Sequence, residues 1–385
     1  FYLFLNRHIF LNKLLFIVNV DWFFVSHRLP IALEARAQGY EVHIATTITD
    51  KLAILEDNGL IVHPVHLHRS SVFAVLAEFF EILSVIRRIS PDILHLVTIK
   101  PVLLGGIASG LIRVPAVVFA LSGLGFVFVN SGVIAQLRLK VISFLYRLAL
   151  GHKNQMVVFQ NVDDQSQLSK LTALPVERTV LIHGSGIDLS LYNMRPLPEG
   201  VPIILLAARL LGDKGVKEFV RAAELVNSLE LRAHFVLVGE IDPLNPTSIQ
   251  HDELVSWKES GVVELWGFRD SMEQVLSSAT IVVLPSYYGE GLPKVLIEAA
   301  ACGRAVITTD HPGCRDAIED GVTGLLVPVR NAEAIADAIL ELLDNPNRCE
   351  EMGLAGRKRA VKMFDVRHVV AKHMQIYEEL LMNCS

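Results

Sequence analysis

Short, continuous apolar runs alternate with amphipathic stretches along nearly the whole chain. LLFIVNV (Leu14–Val20) shows no polar alternation, as expected of a strand covered on both faces. Ser26 would cap the helix that follows, with Pro30 in its first turn and Gly39 ending it. EVHIAT (Glu41–Thr46), DILHLV (Asp92–Val97), AVVFAL (Ala116–Leu121), VVF (Val157–Phe159) and TVLI (Thr179–Ile182) extend this first series. A second series opens at IILLAA (Ile203–Ala208) and continues through HFVLVG, VVELWG, TIVVLP, AVITT and GLLVP, with helical patterns between. Strand, helix and strand repeated with short turns predict parallel α/β structure. The break falls near Tyr192–Pro202, where Pro196, Pro198, Gly200 and Pro202 punctuate a polar linker. One helix, roughly Asp365 to Leu381, is left over once the second sheet is complete. The expected division is therefore 1–193, 194–364 and a terminal helix in 365–385.

Composition supports this and narrows the setting. The 385 residues suffice for two domains with separate cores, and with 51% hydrophobic and 20% charged residues the chain is globular rather than disordered. Charge is uneven: residues 1–193 hold 16 Lys and Arg against 13 Asp and Glu, a balance of +3, while the remainder holds 19 and 28, a balance of −9. A basic first part suits an anionic partner, an anionic membrane surface included. Ile134–Leu150 carries Arg138, Lys140 and Arg147 among apolar residues, the pattern of an interfacial helix or of a domain helix with one face in the core. No stretch reads as a transmembrane helix; Val114–Val129 contains Pro115, Gly123 and Gly125 and suits a buried strand and loop. The apolar first dozen residues read equally as a membrane-touching extension or a misassigned translation start. Cys302, Cys314, Cys349 and Cys384 have neither zinc-site nor disulfide-framework spacing, so a reducing cytoplasm is expected. HPVHLH (His63–His68) reads as a solvated strand end, because His63 would not share a face with His66 and His68. No Asp-x-Asp, GxSxG, P-loop or GxGxxG pattern occurs, which removes a metal–diphosphate clamp and simple hydrolase, NTPase and dehydrogenase readings.

Candidate chemistry gathers in PSYYGEGLPKVLIEAAACGR (Pro285–Arg304). An apolar run leads into a glycine loop; Pro293 opens a helical pattern and Gly303 closes it. Glu290 then sits just before a helix N-terminus and Glu298 inside the helix. Backbone N–H groups from Gly291 to Lys294 would point into the same space, where the helix dipole favours anions. Two carboxylates beside such donors suit a sugar and a ribose. Arg209 and Lys214 follow the strand Ile203–Ala208, at the strand end where α/β sheets bind ligands, and the pair suits a diphosphate.

The Glu-x7-Glu segment, followed by AVITTDHPGCRDAIEDGVTGLLVP, resembles the retaining glycosyltransferases of family 4, in particular the bacterial surface-polysaccharide and lipid-linked oligosaccharide type. The resemblance covers residues 13–382. It implies the GT-B fold: two Rossmann-like domains with parallel sheets facing across a cleft, and a C-terminal helix crossing back to the first domain. It implies that Arg209 and Lys214 stabilise the departing diphosphate and that Glu290 faces the transferred sugar. Gly291, Leu292 and Pro293 would add backbone contacts, and Glu298 would bind ribose hydroxyls. Lys294 would lie near the phosphates or point outward. HGSGID brings Gly184 and Gly186 to the donor side, and WGFRD brings Phe268 towards the nucleobase. NVDWFFVSHRLP is similar to relatives acting on lipid-linked sugars, although it lacks the glycine-rich loop of many members, which favours an acceptor role. On the acceptor side stand His27 and Arg28, Lys100, Ser122 and Gly123. The expected activity is metal-independent hexosyl transfer, without a cofactor, from a nucleotide-diphosphate sugar, with UDP-sugar as the expected donor, to a lipid-linked or saccharide acceptor. The enzyme would be cytoplasmic and peripheral at the inner membrane face, with no nucleic-acid partner. The alternatives are another GT-B enzyme such as a sugar-nucleotide epimerase, or a non-catalytic glycan-binding partner subunit.

Overall fold

The structure, a computed structural model, describes residues 12–67, 72–124, 133–229, 233–243 and 245–384, without the side chains of 72–73 and 133–138. The first twelve-residue segment apart from Asn12, His68, Gly125 and the Arg138 side chain lie outside the described residues.

Two compact units emerge, one of residues 1–182 with 369–385 and the other of residues 183–368. The first holds a wholly parallel sheet of β1 (Lys13–Val20), β2 (Glu41–Thr47), β3 (Ile61–Pro64), β4 (Ile93–Val97), β5 (Ala116–Ala120), β6 (Gln155–Phe159) and β7 (Thr179–Leu181). Their order is β3-β2-β1-β4-β5-β6-β7. The unalternating run in β1 follows from burial on both faces. Leu14, Phe16 and Val18 join one core with Phe24, Ile31 and Ala35, while Leu15 and Ile17 join another with Ile82, Val102 and Tyr146. Each fully buried Val, Leu, Ile or Phe side chain among them contributes about 1.5–3 kcal/mol. The second unit holds β8 (Ile203–Ala207), β9 (His234–Val238), β10 (Glu264–Gly267), β11 (Ile281–Leu284), β12 (Ala305–Thr309) and β13 (Gly324–Val327), also parallel and ordered β10-β9-β8-β11-β12-β13.

In both sheets the strand order reverses beside the first strand of the series, between β1 and β4 and between β8 and β11. Open α/β sheets take ligands at the carboxyl ends of strands at such a switch point. The segments following β8 and β11 carry Arg209, Lys214 and Glu290; after β1, Arg28 stands between two short helices, and after β4, Lys100 lies in the first turn of the helix Ile99–Ile112.

One local reading is corrected. Ser26 is not a cap: it lies inside a short helix, Asp21–His27, and Arg28 holds the N-cap position of the next helix, Leu29–Ala37, without a side-chain capping bond; that helix has proline in its first turn. The histidine stretch forms a strand only to Pro64; His63 pairs with His43 at 3.0 Å and His66 with Glu81 at 3.3 Å. The division between the units also falls earlier than the linker. Residues from His183 onward find their partners in the second unit: Ile187 bridges Asp365, and Tyr192 reaches Glu298.

The C-terminal helix, Val366–Met382, belongs from Val369 onward to the first unit. It buries Val369, His373, Ile376, Tyr377 and Leu380, a stripe at helical spacing. Tyr377 Oη lies 2.6 Å from His95 Nδ1 on β4. Burial holds both imidazoles neutral, with the Arg28 charge acting the same way: His95 is driven well below the usual range and His373 to about 3.

Candidate active site

Glu290 is held from two sides. Its Oε2 lies 2.5 Å from Lys214 Nζ, and its Oε1 lies 3.0 Å from the hydroxyl of the fully buried Ser286. Lys214 ends a single 3-10 turn, Gly212–Lys214, that follows β8, and its ammonium stands 5.5 Å from the Tyr288 ring centre. The pair is largely shielded, with side-chain exposures of 11% for Lys214 and 17% for Glu290, so each charge depends on the other rather than on water.

Two glycines make this approach possible. A Cβ on Gly215 would stand 2.3 Å from the Pro285 carbonyl oxygen, and one on Gly313 would stand 1.7 Å from that of Gly291. Both have positive φ, +76° and +82°, where a side chain is strained in any case. The loops after β8, β11 and β12 therefore press backbone on backbone around Glu290. Cys314 beside them is buried, which pushes its thiol up to about 12, with the nearby Glu290 carboxylate adding to the effect. That thiol is inert as a nucleophile at neutral pH.

The helix Lys294–Ala301 starts after Pro293 and ends before Gly303, as its punctuation predicts. Its turns bring Lys294 Nζ within 3.5 Å of Glu298 Oε1, an i,i+4 pair, so Lys294 turns towards that carboxylate. Tyr192 Oη donates to the same oxygen at 2.8 Å, and Glu298 is 6% exposed. Leu292 is buried. A Cβ on Gly184 would meet Leu292 Cδ2 at 3.3 Å, which places the HGSGID turn on the same loop. Gly184 and Gly186 have φ of +73° and +77°. Arg209 is the outlier of the cationic pair: half-exposed, it bonds Asp242 at 2.8 Å. Phe268 is 60% exposed. Among the described residues no group of three His, Cys, Asp or Glu is arranged to hold a metal ion.

In the first unit the candidates divide. Arg28 is 2% exposed; among the described residues it bonds only neutral oxygens, the His27 carbonyl at 3.0 Å and Ser122 Oγ at 3.3 Å, and its Nε has no partner. Burial lowers its pKa to about 10. Gln160 donates to the same Ser122 hydroxyl at 3.3 Å. Among the described residues two further buried polar atoms at this switch point, Asn19 Oδ1 near the end of β1 and Thr98 Oγ1 after β4, also have no partner. Gly123 follows Ser122 with φ of +102°. His27 stacks on Phe23 at 4.1 Å within its own helix, and Lys100 is neutralised by the buried Glu78 at 2.8 Å.

Residues 201–345 match the family described as glycosyl transferases group 1, and residues 13–161 match the family described as glycosyl transferase 4-like. The chain is a glycosyltransferase with the GT-B fold. It is 28% identical, over 92% of its length and 96% of the relative's, to the N,N'-diacetylbacillosaminyl-diphospho-undecaprenol alpha-1,3-N-acetylgalactosaminyltransferase of Campylobacter jejuni. It is 23% identical over 76% of each chain to the UDP-Gal:alpha-D-GlcNAc-diphosphoundecaprenol alpha-1,3-galactosyltransferase of Escherichia coli. Among solved structures, Anabaena HepE in complex with UDP matches with a TM-score of 0.76 at 17% identity, covering 96% of this chain and 100% of that one. Sucrose-phosphate synthase from Thermosynechococcus elongatus matches at 0.78 and 20%, covering 97% and 100%.

Sequence reasoning singled out Lys214 with Glu290 and Lys294 with Glu298, pairs that the fold brings into contact, but missed what else holds them. Ser286, Asp242, Gly313 and Tyr192 carry no motif of their own. Ser286 and Gly313 lie inside the segments already singled out, whereas Tyr192 and Asp242 meet their partners only through the fold.

Proposed function

We propose that this glycosyltransferase moves a hexosyl group from a UDP-sugar to a lipid-linked, diphosphate-bearing saccharide, with retention at the anomeric carbon. The observation that carries this reading is the Lys214–Glu290 pair at the β8/β11 switch point, with Glu298 on the helix that follows. The bond from the anomeric carbon to the diphosphate oxygen breaks, and the acceptor hydroxyl oxygen bonds on the same face. Its proton passes to the departing diphosphate. Lys214, with Arg209 once it leaves Asp242, neutralises the charge that develops on that diphosphate. Glu290 orients the sugar hydroxyls and Glu298 the ribose. Neither role needs a metal. The two relatives named for undecaprenyl-diphosphate substrates, and HepE with UDP, support the acceptor and donor classes. Arg28, a buried guanidinium without a counter-charge among the described residues, would supply a partner for an acceptor phosphate, with Ser122 beside it.

A panel of nucleotide sugars screened for protection against thermal unfolding tests the donor class. A UDP-sugar at a hundredfold excess over its Kd raises stability by about 2.7 kcal/mol. Equal protection by every nucleotide, or by none, overturns the reading.

The enzyme would meet its acceptor at the cytoplasmic membrane face through the first unit. No helix among the described residues is long and apolar enough to cross a membrane. Two helices that pack against Ile99–Ile112 expose large apolar side chains: Leu76 and Phe80 on Val72–Ile89, and Val141, Phe144 and Leu148 on Val133–Ala149. Lys140 and Arg147 lie exposed on the second. In flotation with anionic liposomes at low salt, the protein is expected to rise with the vesicles, and a Phe80→Ser, Phe144→Ser double variant to remain largely behind. Recovery of the unaltered protein wholly in the soluble fraction removes the membrane role.

A further inference from the structure

Tyr192 belongs to none of the motifs above, yet among the described residues it is the closest side-chain donor to the Glu298 carboxylate. Its hydroxyl lies 2.8 Å from Oε1, against 3.5 Å for Lys294 Nζ. Among the described residues every protein contact to this carboxylate falls on Oε1, and Oε2 has no protein partner. The backbone of Tyr192 is fixed as well. Arg357 Nη1 donates to the Tyr192 carbonyl at 2.6 Å and to the Ala301 carbonyl at 2.8 Å, tying the segment to the far end of the helix that carries Glu298. Along the same helix end the Arg195 N–H reaches the Cys302 carbonyl, and Arg304 donates to the Arg195 and Pro196 carbonyls at 2.8 and 3.1 Å.

We infer that Tyr192 is a positioning residue for donor binding: its hydroxyl occupies Oε1 of Glu298, fixes the carboxylate plane, and leaves Oε2 to accept from the ribose hydroxyls of the nucleotide. The inference rests on the reading of Glu298 as the ribose ligand. The chemistry of the pair fits. Burial, followed by the charge of Glu298, raises the pKa of Tyr192, so the phenol stays protonated and is a donor at every physiological pH. A carboxylate that lacked this bond would be free to rotate, and at 6% exposure water could not replace the lost donor fully. The consequence is selectivity: an oriented Oε2 rewards a cis-diol, and a nucleotide lacking one of the two hydroxyls forfeits part of that reward.

Calorimetric Kd values for UDP and 2'-deoxy-UDP, measured on the unaltered protein, Tyr192→Phe and Glu298→Gln, test this. The unaltered protein is expected to favour UDP. Tyr192→Phe should weaken UDP roughly tenfold, the scale of one hydrogen bond to a charged group, and shrink the UDP preference while its melting temperature stays close to that of the unaltered protein. Glu298→Gln should lose the preference altogether. Unchanged discrimination in Tyr192→Phe, with discrimination lost in Glu298→Gln, overturns the role of Tyr192 and leaves the ribose reading standing. Discrimination retained in Glu298→Gln, or absent from the unaltered protein, overturns the ribose reading and this inference with it. A Tyr192→Phe that weakens both nucleotides equally is a general packing defect and also overturns it.

Discussion

Lys214→Ala is expected to lower turnover at saturating donor by two to three orders of magnitude, roughly the loss on removing one preorganised donor to a developing oxyanion. The ammonium is 11% exposed and anchored by a single turn, so its field acts in a shielded site and little reorganisation precedes the reaction. In the resting protein its charge is satisfied by Glu290 at 2.5 Å; diphosphate binding would exchange one anion for another. The same contact predicts how the variant behaves as a protein. Glu290 loses its cation but keeps the Ser286 hydroxyl at 3.0 Å and some contact with water, so the stability cost is about 1–2 kcal/mol rather than the 3–5 of a fully buried pair. Lys214→Arg preserves the charge but not the point geometry, and should recover only part of the rate. Arg209→Ala should also lose turnover heavily, with less effect on stability, because the Arg209–Asp242 pair is partly exposed. Initial rates beside thermal melts decide this. Near-normal turnover in Lys214→Ala would end the assignment of the diphosphate role.

The sheets were legible because parallel strands buried on both faces are written as unbroken apolar runs, and β1, β8 and β11 are read directly as such. The helix Lys294–Ala301 was legible because proline and glycine bracket it. Three kinds of information were not. Ser26 looked like a cap because serine competes for helix N-termini, but the chain turns helical earlier, at Asp21, whose carboxylate accepts from the Thr49 and Lys51 N–H groups. The division between the units looked like the proline-rich linker, yet residues from His183 follow the partners they meet, Leu292, Asp365 and Glu298, all far along the chain. Finally, burial of a charge leaves no periodic trace. Arginine is ordinarily exposed, so nothing in SHRLP marks Arg28 as one of the most enclosed cations in the protein.

That enclosure leads to a second large effect, of opposite sign in stability and in function. Arg28→Met is expected to raise the stability of the first unit by about 1–3 kcal/mol, while lowering transfer to a diphosphate-linked acceptor at least roughly tenfold. The guanidinium is 2% exposed, its contacts are a carbonyl and a hydroxyl, its Nε is unpartnered, and no carboxylate among the described residues pairs with it. Burying an uncompensated charge costs more than two neutral hydrogen bonds return, which is why its pKa falls to about 10. The groups packed nearby offer no relief: His95 and His373 stay neutral, and Tyr377 keeps its proton, its pKa raised by burial. Methionine fills much the same volume with an apolar, adaptable stem, so the substitution removes the charge without opening a large cavity. A protein retains such a cation when something it binds supplies the missing anion, and an acceptor diphosphate does so. Thermal melts of the two proteins, each with and without inorganic pyrophosphate, separate the contributions. The unaltered protein should gain more from pyrophosphate than the variant does, because the variant keeps only the response of the Lys214 site. A variant that melts well below the unaltered protein would make Arg28 a structural residue, and unchanged acceptor kinetics would take it out of the acceptor site.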